Sequence, residues 1–86
     1  MVGKPIEISQ HAREQMNERG AKEEEVLVAI RQGEAEPTRM GRIMYRKNFQ
    51  FNRRWCGKYY AVKQVAPIVK EESKKLVVVT VYTFYF

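Results

Sequence analysis

The chain contains no aspartate: its ten acidic residues are all glutamate, and 86 residues hold one histidine, His11, and one cysteine, Cys56. A zinc, iron or two-metal carboxylate centre would have to be built almost wholly from glutamate, so no metal is expected. A Ser-His-Asp triad and an aspartic dyad are excluded outright. Neither a Walker A string nor G-x-G-x-x-G occurs, so no nucleotide cofactor is expected either. A lone cysteine and an N-terminus, MVGKPIEIS, without the apolar stretch of a signal peptide predict a reducing, cytoplasmic setting. The longest apolar run, Leu76 to Phe86, is too short and too rich in Thr and Tyr to span a bilayer, so no membrane association is expected. With 44% hydrophobic residues, three prolines and five glycines, there is material for one small core and no linker. A single domain over 1–86 follows.

The charge is divided unevenly. Residues 1–36 carry five basic residues and eight Glu, a sum of −3, whereas residues 37–86 carry eleven basic residues and two Glu, a sum of +9. Between Glu36 and Glu71 there is no acidic residue. That stretch interleaves Arg39, Arg42, Arg46, Lys47, Arg53, Arg54, Lys58, Lys63 and Lys70 with Tyr45, Phe49, Phe51, Trp55, Tyr59 and Tyr60. Cations neutralise phosphates and release counterions, and aromatic rings offer faces on which unpaired bases stack. The pattern therefore points to a polyanion, either RNA or an acidic protein partner, with Arg42, Arg46, Lys47, Arg53, Arg54 and Lys58 as the candidate contacts. The plainer alternative is that the aromatics are core and the cations a solvated face.

Two helical patterns open the chain. Ser9 is a good N-cap for a helix that Gly20 ends, with Ala12, Met16 and Arg19 on one stripe. A second helix, about Lys22 to Gln32, opens on Glu23, Glu24 and Glu25, buries Val26, Ala29 and Ile30, and stops at Gly33. The period then becomes that of a strand. Ile43, Tyr45, Phe49 and Phe51 face one way, with Lys47 the exception among them, and Arg42, Arg46, Asn48 and Gln50 face the other. Lys58 to Val69 reads as a second strand whose Pro67 favours an edge position or a bulge. Glu34 to Met40 is a candidate further strand. Lys75 to Phe86 is apolar on both faces, which predicts a central strand, flanked on both sides or completed by another chain. The expected architecture is α+β: two N-terminal helices packed on a three- or four-stranded antiparallel sheet.

The string Ser9-Gln-His11-Ala12-Arg13-Glu14-Gln-Met16-Asn-Glu-Arg19-Gly20, followed by Glu24-Glu25-Val26, Ala29-Ile30 and Gly33, resembles a bacterial and archaeal family known as domain of unknown function 4258 (DUF4258). The closing Val78-Val79-Thr80-Val81-Tyr82 resembles the end of the same family, so the likeness covers about residues 8 to 83. Ala21 and an apparently longer strand connection over Phe51 to Gly57 depart from it. The two-helix-plus-sheet pattern is also similar, by fold analogy, to the RelE-like and BrnT-like toxin ribonucleases. This likeness and the residue inventory together imply a metal-independent endoribonuclease covered by an acidic, antitoxin-like partner. His11 and Glu14 would then act as acid-base groups, and Arg19, Arg46 and Lys47 would surround the phosphate. Against this, His11 serves equally as a structural residue at the helix start, and Arg19 as a stem packed on the sheet. A non-catalytic reading remains beside it: an RNA- or protein-binding module, a homodimer or accessory subunit whose uncovered sheet face holds either Val78, Tyr82 and Phe84 or Val77, Val79 and Tyr85. Cys56 has no local base and reads as an incidental thiol.

Overall fold

Ser9, between an extended segment and an alternating apolar stripe, is where the chain turns helical. A computed structural model describes residues 3–86. In it the Ser9 hydroxyl accepts from the Ala12 N–H at 3.1 Å, and helix α1 (Gln10–Arg19) follows with Ala12 and Met16 buried. Gly20, at φ 77°, closes the helix in the left-handed region. A Cβ at Gly20 would lie 2.6 Å from the Tyr85 hydroxyl and 2.7 Å from the Trp55 ring, so close packing as well as backbone conformation demands glycine. Helix α2 (Glu23–Gln32) begins three residues later, the Glu25 carboxylate reaching back to accept from the Lys22 N–H at 2.9 Å.

Five strands follow or precede these helices: β1 (Ile6–Ile8), β2 (Glu34–Pro37), β3 (Ile43–Trp55), β4 (Lys58–Glu71) and β5 (Leu76–Tyr85). Their order across the sheet is β1-β5-β4-β3-β2. The α+β class holds, but the expected three- or four-stranded antiparallel sheet is corrected to a five-stranded mixed one, because β1 pairs parallel with the start of β5, Ile6 opposite Leu76. Three residues in parallel register with a strand at the far end of the chain carry no local signal. The candidate strand after Gly33 is present as β2, antiparallel to β3.

β4, which Pro67 was expected to push to an edge, is the middle strand. Pro67 is tolerated there because its missing N–H faces β3, where the ladder is interrupted between Met44↔Ile68 and Lys47↔Val65 while the register is kept. The expected irregularity is found beside it: the β4–β5 register shifts between Ile68 and Val69, leaving Val79 as an extra residue on β5. β3 does not end early in a long connection. It runs to Trp55, and Cys56 and Gly57, at φ 51° and 82°, form a two-residue turn with both central residues left-handed, the type that matches strand twist.

Both helices lie on one face of the sheet, α1 over β5 and α2 over β4 and β3. Ile8, Ala12, Met16, Val26, Val65, Val69, Val78 and Val81 form the core between the layers. Beyond the reach of β1, the outer edge of β5 is closed by α1 side chains. The Val81 N–H donates to Gln15 Oε1 at 2.9 Å, and its carbonyl accepts from Arg19 Nη1 at 2.7 Å. β5 is thus flanked on both sides, by strands for its first three residues and by a strand and a helix thereafter. No helix among the described residues is long and apolar enough to cross a membrane.

Candidate nucleic-acid interface

The outer half of the β3–β4 hairpin meets the α1–α2 junction at the Gly20 end of α1. Tyr85 is the hub of this region. Its ring lies 5.3 Å from Phe51, 5.3 Å from Trp55 in a near-parallel stack of 16°, and 5.4 Å from Tyr60. Its hydroxyl donates to the Arg19 carbonyl at 2.6 Å, one of the orphan carbonyls at the end of α1. Burial, with a smaller contribution from the Glu25 carboxylate, holds the Tyr85 hydroxyl above its ordinary titration range.

Lys63 secures the junction from the sheet side. Only 2% exposed, it donates to the Gly20 carbonyl at 2.9 Å, pairs with Glu25 at 2.8 Å and lies 5.3 Å from the centre of the Phe51 ring. Its charge is therefore spent inside the protein. It belongs to the row Lys63, Val65, Pro67, Val69, all buried, and that alternation in the sequence marks Lys63 as a core residue rather than a free cation.

Outside this ring of partners, a hollow of about 300 Å³ opens between the helix junction and the hairpin, lined by Gly20, Lys22, Phe51, Arg53, Arg54, Trp55 and Lys63. Phe51 and Trp55 supply apolar walls. Lys22, Arg53 and Arg54 are exposed, and among the described residues none of them has a carboxylate within ion-pair distance. The Arg53 guanidinium rests 5.1 Å from the centre of the Phe51 ring, and Lys58 Nζ 5.8 Å from that of Tyr60. Arg54 reaches only the Gly57 carbonyl, at 3.4 Å. The aromatics are therefore half-buried supports with cations laid over them, a different arrangement from bare rings awaiting bases.

The remaining sequence candidates are spread more widely. Lys47 lies half-buried on the helix-covered face, 5.9 Å from the centre of the Phe49 ring. Arg46 is on the opposite face, bound to Glu36 at 2.8 Å and to Gln64 at 3.1 Å, and Arg42 lies beyond it toward β2. Of the six basic residues singled out, Arg46 alone has an acidic partner among the described residues. His11 is exposed in the first turn of α1, and Glu14 binds Gln10 at 3.3 Å, with no hydrogen bond or ion pair joining His11 to Glu14 among the described residues. Arg19 lies at the other end of α1, its guanidinium on the Val81 carbonyl and 5.2 Å from the centre of the Tyr82 ring. α1 thus places Arg19 beside the hairpin and His11 away from it. Lys22 was missed by sequence reasoning because it stands in the acidic half of the chain and joins Arg53 and Arg54 only through the fold. No cluster of three or more metal-ligating side chains occurs among the described residues.

A family model described as "Domain of unknown function (DUF4258)" matches residues 8–83, nearly the whole chain. No curated protein and no solved structure matches.

Proposed function

We propose that this chain, which belongs to the DUF4258 family, binds single-stranded RNA through the hollow between the α1–α2 junction and the β3–β4 hairpin. The observation that carries the reading is the hollow itself. Three exposed cations, Lys22, Arg53 and Arg54, surround walls of Phe51 and Trp55, and the protein offers them no carboxylate among its described residues. Phosphates supply the missing anions, and an unpaired base has the guanidinium planes of Arg53 and Arg54 to stack against. A net charge of +6 draws such a ligand in from a distance.

Trp55 is the only tryptophan in the chain, so its fluorescence reports this site alone. Titration with a short single-stranded RNA at low salt is expected to quench it, with Arg53→Ala/Arg54→Ala binding more weakly. Absence of quenching and of any retained RNA at low salt would overturn the reading. The same mixtures, incubated with EDTA and run on a denaturing gel, test the catalytic form of the proposal, in which His11 and Glu14 serve as acid-base groups and Arg19 as a phosphate contact. Cleavage that survives EDTA and stops in His11→Ala supports that form. Intact RNA leaves a binding module.

A further inference from the structure

The hollow beside the hairpin closes at its inner end. The Trp55 ring packs so tightly on Gly20 that a Cβ there would lie 2.7 Å from it. Lys63, also in its lining, is held on the Gly20 carbonyl at 2.9 Å and on Glu25 at 2.8 Å. A strand can place one residue in this space, whereas a continuing strand would have to turn and leave by the way it came. The size agrees: about 300 Å³ is the share of about ten water molecules, enough for one nucleotide and too little for two.

Three positive charges, on Lys22, Arg53 and Arg54, surround that one-nucleotide space with no carboxylate in ion-pair distance among the described residues. An internal nucleotide of RNA brings one phosphodiester on each side, about −2 in all, and leaves a cation unmatched. A nucleotide that ends the strand in a phosphomonoester brings about −2 on that group at neutral pH and about −1 on the diester joining it to its neighbour. That sum matches what the protein presents. A terminal phosphate also has three free oxygens, so it accepts the forked N–H pairs of two guanidinium groups better than a diester does. Arg53 and Arg54 are adjacent near the end of β3, and Arg54 holds nothing firmer than the Gly57 carbonyl at 3.4 Å.

We infer that the hollow holds the phosphorylated end of a single-stranded RNA, its terminal phosphomonoester and the adjoining diester shared among Lys22, Arg53 and Arg54. The inference rests on the RNA reading above and narrows it, from any single strand to one that ends in phosphate.

Trp55 fluorescence on the full chain tests it with hexanucleotides of one sequence bearing a 5′-phosphate, a 3′-phosphate or hydroxyls at both ends. A hydroxyl-ended octanucleotide serves as the control, because its two extra diesters equal the charge of the terminal phosphate. At least one phosphorylated hexanucleotide is expected to bind about tenfold more tightly than the octanucleotide, and the better of the two identifies the end that is held. Lys22, Arg53 and Arg54 are exposed, so Lys22→Gln and Arg53→Ala/Arg54→Ala are expected to keep the far-ultraviolet circular dichroism of the wild type while losing the preference. Equal binding of the charge-matched strands, or a preference that survives both variants, overturns the inference and leaves the RNA reading in place. Absence of binding by every strand removes both. A nucleoside monophosphate that binds as tightly as the phosphorylated strand also overturns the inference, in favour of a free nucleotide.

Discussion

Replacing Lys63 by methionine should cost the fold about 3 kcal/mol, and the structure shows where that figure comes from. The side chain is 2% exposed and its ammonium has two acceptors, the Gly20 carbonyl at 2.9 Å and the Glu25 carboxylate at 2.8 Å. Removing one member of a buried pair strands the other, which costs about 3–5 kcal/mol. Glu25 keeps 17% of its side-chain surface and still accepts from the Lys22 N–H, which places the loss at the lower end. Against a total stability of about 4–13 kcal/mol for a chain of this length, the change is large. Urea unfolding followed by circular dichroism measures it as a lower midpoint at unchanged slope. Adding Glu25→Gln keeps the acceptor for Lys22 and removes the stranded charge, so the double variant should recover about 1–2 kcal/mol. A single variant within about 1 kcal/mol of wild type, or a double variant no better than the single, would refute the claim that this pair ties the helix junction to the sheet.

Salt dependence of RNA binding should give a log–log slope of about −2.1 if Lys22, Arg53 and Arg54 each meet a phosphate, and Arg53→Ala/Arg54→Ala should reduce it to about −0.7, as read by Trp55 fluorescence. Because the Tyr85 hydroxyl titrates above its ordinary value of 10.0 in the fold, its contribution is complete below that pH and is lost as pH rises through the folded value. Wild type should therefore lose more stability above pH 10 than Tyr85→Phe does, and parallel denaturation curves for the two would contradict the assignment. Gly20→Ala should cost about 1–3 kcal/mol from backbone strain, and should also shift Trp55 emission, because the new methyl collides with the indole.

The elements that the sequence discloses are those written in neighbouring residues. Ser9 and Gly20 bracket α1, the three glutamates open α2, and alternation marks β3 and β5. β1 escapes because its partner is at the other end of the chain, and Pro67 misleads because the lapse in the β3–β4 ladder that accommodates it is a tertiary fact. The extra residue at Val79 breaks the parity on which the two candidate faces of β5 rest, so Tyr82 and Phe84 of the first expected set are exposed while its Val78 is buried. At the candidate interface, the acid-free basic segment is plain in the sequence. Its division is not: Lys63 and Arg46 find glutamates, while Lys22 arrives from the acidic half to join Arg53 and Arg54.

The closure of β5 by Gln15 and Arg19 bears on how the protein behaves in quantity. A sheet lengthens by templating, each bare edge serving as a seed for the next molecule, and β5 beyond β1 is rich in the residues that seed best. Two side chains on Val81 occupy the rung where an incoming strand would dock first, and one of them brings a charge. They form no ladder that another chain could copy. A variant lacking both groups would keep its core and its caps, yet its solutions would acquire a nucleation lag and then fibres.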